Sequence, residues 1–361
     1  MKRRTFLKSG LGAAAGVAVG LPRARRASAH EPAKWRTFEV VARIEVADAS
    51  GPTQAWMPLP LMQDTDYFKT LANKWTGNAQ TMKEIRDVAQ EASYVHAVFA
   101  TGEKAPVLEV ASRFSARDRD VEVLDPPLKG VGMDKASVAR YLKPSGYVPT
   151  DGLVLETSRQ IVKGLGTDLE KARAIYEWIV DNTFRDPKVK GCGLGDIKAM
   201  LETRYFGGKC ADLNALYVGF ARAAGLPARD VYGVRCADSA EFKSLGKSGD
   251  ITKAQHCRAE VYLTGYGWVP VDPADVRKVV LEEPPGNRPL DDPLVRKARL
   301  KLFGEWEMNW LAYNYSHDVK LLGSREKPLA FLMYPHAETA DGRRDSLDPT
   351  TFKYQITAKE V

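Results

Sequence analysis

The sequence predicts an α+β fold, with a small antiparallel β domain ahead of a mixed helix-and-sheet core. Three observations predict it. Period-two alternation begins at Trp35 and recurs through the next ninety or so residues. Helical stripes with capping signals occupy residues 150–225. Strand patterns then return at His256–Leu263 and Trp268–Val271, around the turn Thr264-Gly265-Tyr266-Gly267.

The chain opens MKRRTFLKSGLGAAAGVAVGLPRARRASAH. A basic start, a short apolar run from Leu11 to Leu21 and the small residues Ala27-Ser28-Ala29 follow in the order of a signal peptide, with cleavage expected after Ala29. Arg3-Arg4-Thr5-Phe6-Leu7-Lys8 matches a twin-arginine export signal. The implied partner is the twin-arginine export machinery, and the implied location is periplasmic or extracellular. The apolar run is too short to span a bilayer, and no cysteine follows the cleavage site to carry lipid, so no stable membrane anchor is expected.

Charge supports this division. The formal net charge is +7, but residues 1–29 hold seven Lys and Arg and no acid. Removing those seven from the 53 basic residues leaves 46, equal to the 46 acidic ones. A balanced mature chain removes the electrostatic argument for a nucleic-acid partner.

In residues 30–130, Phe38, Val40, Ala42, Ile44 and Val46 form one apolar face. Trp56–Leu61, Tyr94–Ala100 and Val107–Ala116 read as further strands, and Asp125-Pro126-Pro127 as a linker. Residues 131–285 form the expected core. A helix is predicted over Val154–Val162. Thr167-Asp168-Leu169-Glu170 is a capping box ahead of the stripe Leu169, Ala172, Ile175, Tyr176 and Ile179. Residues 286–361 are expected to pack on this core as a C-terminal extension, with the stretch from about 280 to 300 a surface connection and the aromatics at 306–315 buried.

Within the core lies GGKCADLNALYVGFARAAGLPAR, Gly207 to Arg229. Leu213, Leu216, Tyr217, Phe220 and Ala224 recur at helical spacing, so a helix should start near Cys210 and stop at Gly225, with Pro227 just beyond. Cys210 then sits where free amides and the helix dipole favour thiolate. Its own amide is placed to donate to an oxyanion. A buried structural cysteine would fit this stretch equally well. Downstream, QHCRAEVYLTGYGWVPVDPAD puts His256 at the start of one strand and Asp272 at the end of the next. Antiparallel pairing brings them within a residue or two, and a carboxylate beside an imidazole fixes its tautomer and supports its protonated form.

Gly-Gly-Lys-Cys, the helix ending Ala-Gly-Leu-Pro-Ala-Arg, His256 with Glu260 four later, and Gly-Trp-Val-Pro-Val-Asp-Pro together resemble the transglutaminase-like core of the papain-like cysteine-enzyme superfamily. The resemblance covers roughly residues 150–280. It implies a Cys-bearing helix packed on an antiparallel sheet bearing His and Asp, with Cys210 as nucleophile, His256 as base and Asp272 as orienting acid. The β domain before it resembles what precedes this core in exported bacterial members. Two positions depart from the family pattern: Arg258 stands where Trp is frequent, and Ala274 follows Asp-Pro where Thr or Ser is frequent. The triad is unaffected; a pocket like that of the animal crosslinking enzymes is put in question.

The implied reaction is acyl transfer from a peptide or protein substrate through a thioester, released by water or by an amine. Hydrolysis is favoured, because it needs no second bound substrate. A glutamine-crosslinking transglutaminase and a non-catalytic binding module are the competing classes. Tyr205 is a candidate second oxyanion donor. Asp212 reads as a favourable acid in the first helical turn. No cofactor is expected. The lack of any Cys-x-x-Cys pair among Cys192, Cys210, Cys236 and Cys257 gives no support for a metal site. A nucleophilic Cys210 leaves at most one disulfide among the other three. Replacing Arg3 and Arg4 by Lys should leave the precursor in the cytoplasm; normal processing of that double variant, followed by immunoblot, would count against the twin-arginine route.

Overall fold

The alternation at the start of the chain forms β1, Arg36–Val46, whose five predicted apolar residues all turn into the core. Structure is described here from a computed structural model for residues 33–123 and 135–361. The signal-peptide residues, Arg3, Arg4 and Ala29 included, and the Asp125-Pro126-Pro127 linker lie outside these.

Five further strands follow: β2 (Gln54–Pro58), β3 (Phe68–Gly77), β4 (Thr81–Asp87), β5 (Ala92–Val98) and β6 (Val107–Ala116). They divide between two antiparallel sheets. β1 pairs with β6, which pairs with β3; β2 pairs with β5, which pairs with β4.

Helices follow: α1 (Gly152–Ile161), α2 (Asp168–Asn182), α3 (Ile197–Thr203) and α4 (Cys210–Ala223), all but the short α3 expected from the periodicity. The capping box ahead of α2 is formed: the Glu170 N–H donates to Thr167 Oγ1 at 3.2 Å and the Thr167 N–H to the Glu170 carboxylate at 2.8 Å. α4 is buried on all faces up to Arg222, beyond the single apolar stripe its sequence shows. The reason is a double covering, because α1 and α2 pack on one side and a third sheet on the other.

That sheet is built from β7 (Ala228–Arg235), β8 (Gln255–Leu263), β9 (Gly267–Val271) and β10 (Trp310–Asn314), in the order β9–β8–β7–β10. The hairpin closes with Leu263 opposite Gly267 and Ala259 opposite Val271. Asp272 therefore follows directly on the paired strand, two residues out of step with His256. Gly233 of β7 faces His256, and a Cβ there would lie 2.5 Å from the Trp310 ring. The bare backbone admits that indole, and its Nε1–H donates to the His256 carbonyl at 3.0 Å.

Two helices depart from the sequence reading. α5 (Pro273–Glu282) starts immediately at Asp272-Pro273, and α6 (Pro293–Lys301) occupies part of the stretch expected to be a surface connection. Both begin with an Asp cap followed by Pro at the first helical position, an arrangement that needs no amide from the proline. The C-terminal residues serve all three sheets. β10 completes the third, β11 (His336–Thr339) pairs with β2, and β12 (Phe352–Glu360) pairs along β1 from Val46↔Phe352 to Phe38↔Glu360. Trp306, Trp310 and Tyr313 are buried, as their clustering predicts.

Candidate active site

Cys210 opens α4, and its thiol faces a cavity of about 520 Å³ that His256 also lines. His256 Nε2 lies 2.7 Å from Asp272 Oδ2. The structure thus brings together Cys210, His256 and Asp272, all buried. Tyr205 stands apart. It is 51% exposed, its hydroxyl donates to Asp186 at 2.8 Å, and it does not line the cavity.

Local geometry explains the Gly-Gly-Lys-Cys run. Gly207 and Gly208 pair with Phe184 and Arg185, and a Cβ on Gly208 would lie 2.6 Å from Asp212 Cβ. Asp212 does more than complement the helix dipole. Its carboxylate accepts from the Lys209 N–H at 3.0 Å, closing the first turn, and from the Leu194 and Gly195 N–H groups at 3.0 and 2.9 Å. It therefore staples the Gly191-Cys192-Gly193 loop to the helix start. Three more bonds hold Cys192: its carbonyl accepts from the Ala211 N–H at 2.9 Å, its N–H donates to the Tyr334 hydroxyl at 2.9 Å, and its thiol donates to the Gln255 carbonyl at 3.2 Å.

Asp272 is bound from three directions. Besides His256, it accepts from the Asp275 N–H at 3.0 Å as the cap of α5 and from Asn214 Nδ2 at 3.3 Å. Asn214 lies one turn along α4 from Cys210, and its Nδ2 also donates to the Cys257 carbonyl at 2.8 Å. This single amide couples the cysteine's helix to the histidine's strand and to the acid.

The sequence reading did not single out Asn214, Asp275 or Arg235. Asn214 is signalled by its placement, a polar residue in an apolar helix four positions after the cysteine. Asp275 is signalled by capping spacing, three residues after Asp272. Asp275 Oδ2 lies 3.3 Å from His256 Nε2, and its other oxygen accepts from Arg235 at 2.6 Å. Arg258, in place of the family's frequent Trp, lies 3.7 Å from Asp272 with its guanidinium over the Trp310 and Trp306 rings.

These neighbours set the protonation states. Burial and the Arg235 charge disfavour the imidazolium, but Asp275 and Asp272 outweigh them, and His256 is pushed up to about 9. Burial and the adjacent Asp275 charge raise Asp272. Asp275, although buried, is held well below the usual carboxylate range by Arg235 and His256. Interaction with the neighbouring Cys192 and Cys257 thiols, followed by that with the His256 imidazole, outweighs the cost of burial and holds the Cys210 thiol well below its ordinary value. Cys192 and Cys257 move the opposite way, and all four cysteines are free thiols. One ionisable sulfur among protonated neighbours is suited to nucleophilic chemistry.

Comparison with known proteins identifies a family. Residues 156–273 match the model of the transglutaminase-like superfamily. A Haemophilus influenzae protein described as uncharacterized is 33% identical over 330 residues, spanning 87% of this chain and 88% of its own. Among solved structures, a candidate cysteine protease of Cytophaga hutchinsonii aligns with a TM-score of 0.51 at 15% identity, over 91% of this chain and 99% of that one. The periplasmic domain of TgpA from Pseudomonas aeruginosa aligns with a TM-score of 0.35 at 15% identity, over 68% of this chain and 88% of that one. The chain belongs to the transglutaminase-like superfamily, and it shares its fold with the Cytophaga hutchinsonii structure. Among the described residues no helix is long and apolar enough to cross a membrane.

The two-carboxylate environment of His256 has a direct spectroscopic consequence. A nearby carboxylate favours the charged ring, so its removal lowers the midpoint of ring titration. In Asp275→Asn, the His256 midpoint, followed by NMR of labelled histidine, should fall from about 9, by about 1–3 units on the scale of one close opposite charge. An unchanged midpoint in a folded variant would show that Asp275 does not act on the ring.

Proposed function

We propose that this protein is an exported cysteine hydrolase that cleaves peptide or isopeptide amides through a Cys210–His256–Asp272 triad. The observation that carries the reading is the 2.7 Å contact of Asp272 with His256, whose ring lines the same cavity as the helix-start Cys210. Nε2 is engaged by the acid, so Nδ1 is the ring nitrogen left to exchange a proton with the thiol.

The Cys210 thiolate attacks the amide carbonyl, and the new C–S bond leaves the negative charge on oxygen. The Cys210 N–H, which at the first helical position has no intrahelical acceptor, can donate to it. The His256 imidazolium gives its proton to the leaving amine as the C–N bond breaks, leaving a thioester. Neutral His256 then takes a proton from water, whose oxygen attacks the thioester. The acid product departs and the proton returns the pair to its starting state. Asp272 stays ionised throughout, orienting the ring and supporting its charge.

Water is favoured over an amine as acceptor because hydrolysis requires only one bound substrate. The export assignment rests on the N-terminal sequence and its Arg3/Arg4 test.

Cys210→Ala should abolish amide hydrolysis while leaving the circular dichroism spectrum unchanged. His256→Ala should lose comparable activity, and Asp272→Asn less, since the amide keeps a hydrogen bond but not the charge. The general acid–base contribution places the His256 loss at roughly 10²–10⁴-fold or more. The Cys210→Ala/His256→Ala double variant should be no worse than either single one. Retention of full biological function by Cys210→Ala in cells would sink the enzyme reading.

A further inference from the structure

The cavity wall has a one-sided charge. Residues 30–361 carry as many acids as bases, yet the residues lining the cavity include seven Lys or Arg and no Asp or Glu. Basic composition of the chain as a whole does not explain this.

Two of the seven share a partner. Arg185 and Lys278 both approach Glu282, which does not itself line the cavity, with Lys278 at 3.6 Å. Arg235 is committed to Asp275 below the triad. The remaining four, Lys190, Lys209, Lys247 and Lys253, make no ion pair within 4.0 Å among the described residues, and Lys190, Lys247 and Lys253 are exposed. Asp348, Asp186 and Asp250 feel Lys190, Lys209 and Lys247 only through longer-range attraction, and none of these acids faces the cavity.

Burial first, then the Arg235 charge, push Lys278 down to about 8. The lining also includes apolar and aromatic side chains, Leu347, Pro349, Phe352 and Tyr354, from the C-terminal segment. The cleft over Cys210 thus combines free cations with apolar side chains, a surface complementary to an anionic chain with some apolar character.

We propose that this cleft selects acidic peptides, whose scissile amide is flanked by carboxylate side chains that pair with Lys190, Lys209, Lys247 and Lys253. The peptide nature of the ligand rests on the proposed amide hydrolysis; the anionic selection rests on the cavity wall alone. Exposed lysines on separate loops are suited to steering and orienting a charged substrate, and their effect weakens with ionic strength.

The test uses Cys210→Ala, which keeps the cavity but cannot turn over. Its binding of dansyl-Ala-Glu-Ala-Glu-Ala-amide is compared by fluorescence with that of the Gln counterpart, at low and high salt. The expected result is roughly tenfold tighter binding of the acidic peptide, equivalent to about 1.4 kcal/mol. The preference should shrink at high salt and be lost or inverted when Lys247→Glu and Lys253→Glu are added. Both side chains are exposed and unpaired, so thermal melting should confirm an intact fold. Equal affinity for the two peptides, binding of neither, or a preference untouched by the charge reversals would overturn the proposal. Tighter binding of a sulfated oligosaccharide than of the acidic peptide would overturn the peptide assignment. Iodoacetamide labelling of wild-type Cys210 separates the two claims. An inert thiol with a discriminating cleft would remove the enzyme reading and leave the anionic selection; a reactive thiol with no discrimination would do the reverse.

Discussion

The site depends on one buried carboxylate. Asp272 ends the hairpin, caps α5, accepts from Asn214 on α4 and lies against His256 on β8. The sheet, the cysteine's helix and the following helix are each bonded to the same two oxygens. Burying a carboxylate without such partners would be costly. Its placement therefore fixes the mutual position of elements that are distant in sequence, and the triad geometry follows from that packing.

Charge balance makes the arrangement tolerable. Arg235 and Arg258 are buried against Asp275 and Asp272. Conversion of neutral Cys210 and His256 to thiolate and imidazolium adds one charge of each sign and leaves the total unchanged. Asp275 supports the imidazolium from one side, while the Cys192 and Cys257 thiols support the thiolate from the other. The proposed nucleophile thus sits in a neutral cluster rather than as an isolated buried ion. The same economy does not extend to the cavity above it, where positive side chains lack matching acids.

Much of this was legible in the sequence, for identifiable reasons. The start of α4, the hairpin, and the approach of His256 to Asp272 depend on local spacing, which helix and strand periods convert directly into position. β3 and β4 escaped because each is an outer strand beside the N-terminal sheets' own members, largely exposed and without a clean apolar face. The pairing of β12 with β1 joins residues some three hundred positions apart, which no local period encodes. Cys192 reaches the site through the Asp212 staple and its own bonds to Ala211, Tyr334 and Gln255, and the cationic lining through the convergence of several loops. The resemblance pointed to Cys210, His256 and Asp272; the groups around them became visible with the fold.

The central claim is that Cys210 is held as a thiolate by its buried neighbours. Its most direct measurement is the ultraviolet thiolate absorbance of the folded protein as a function of pH, taken as the difference between wild type and Cys210→Ala. The account expects a difference band already present at neutral pH, persisting well below the ordinary thiol pKa of about 8.5, and diminished in Asp272→Asn. A difference band that emerges only as pH passes that ordinary value would contradict it.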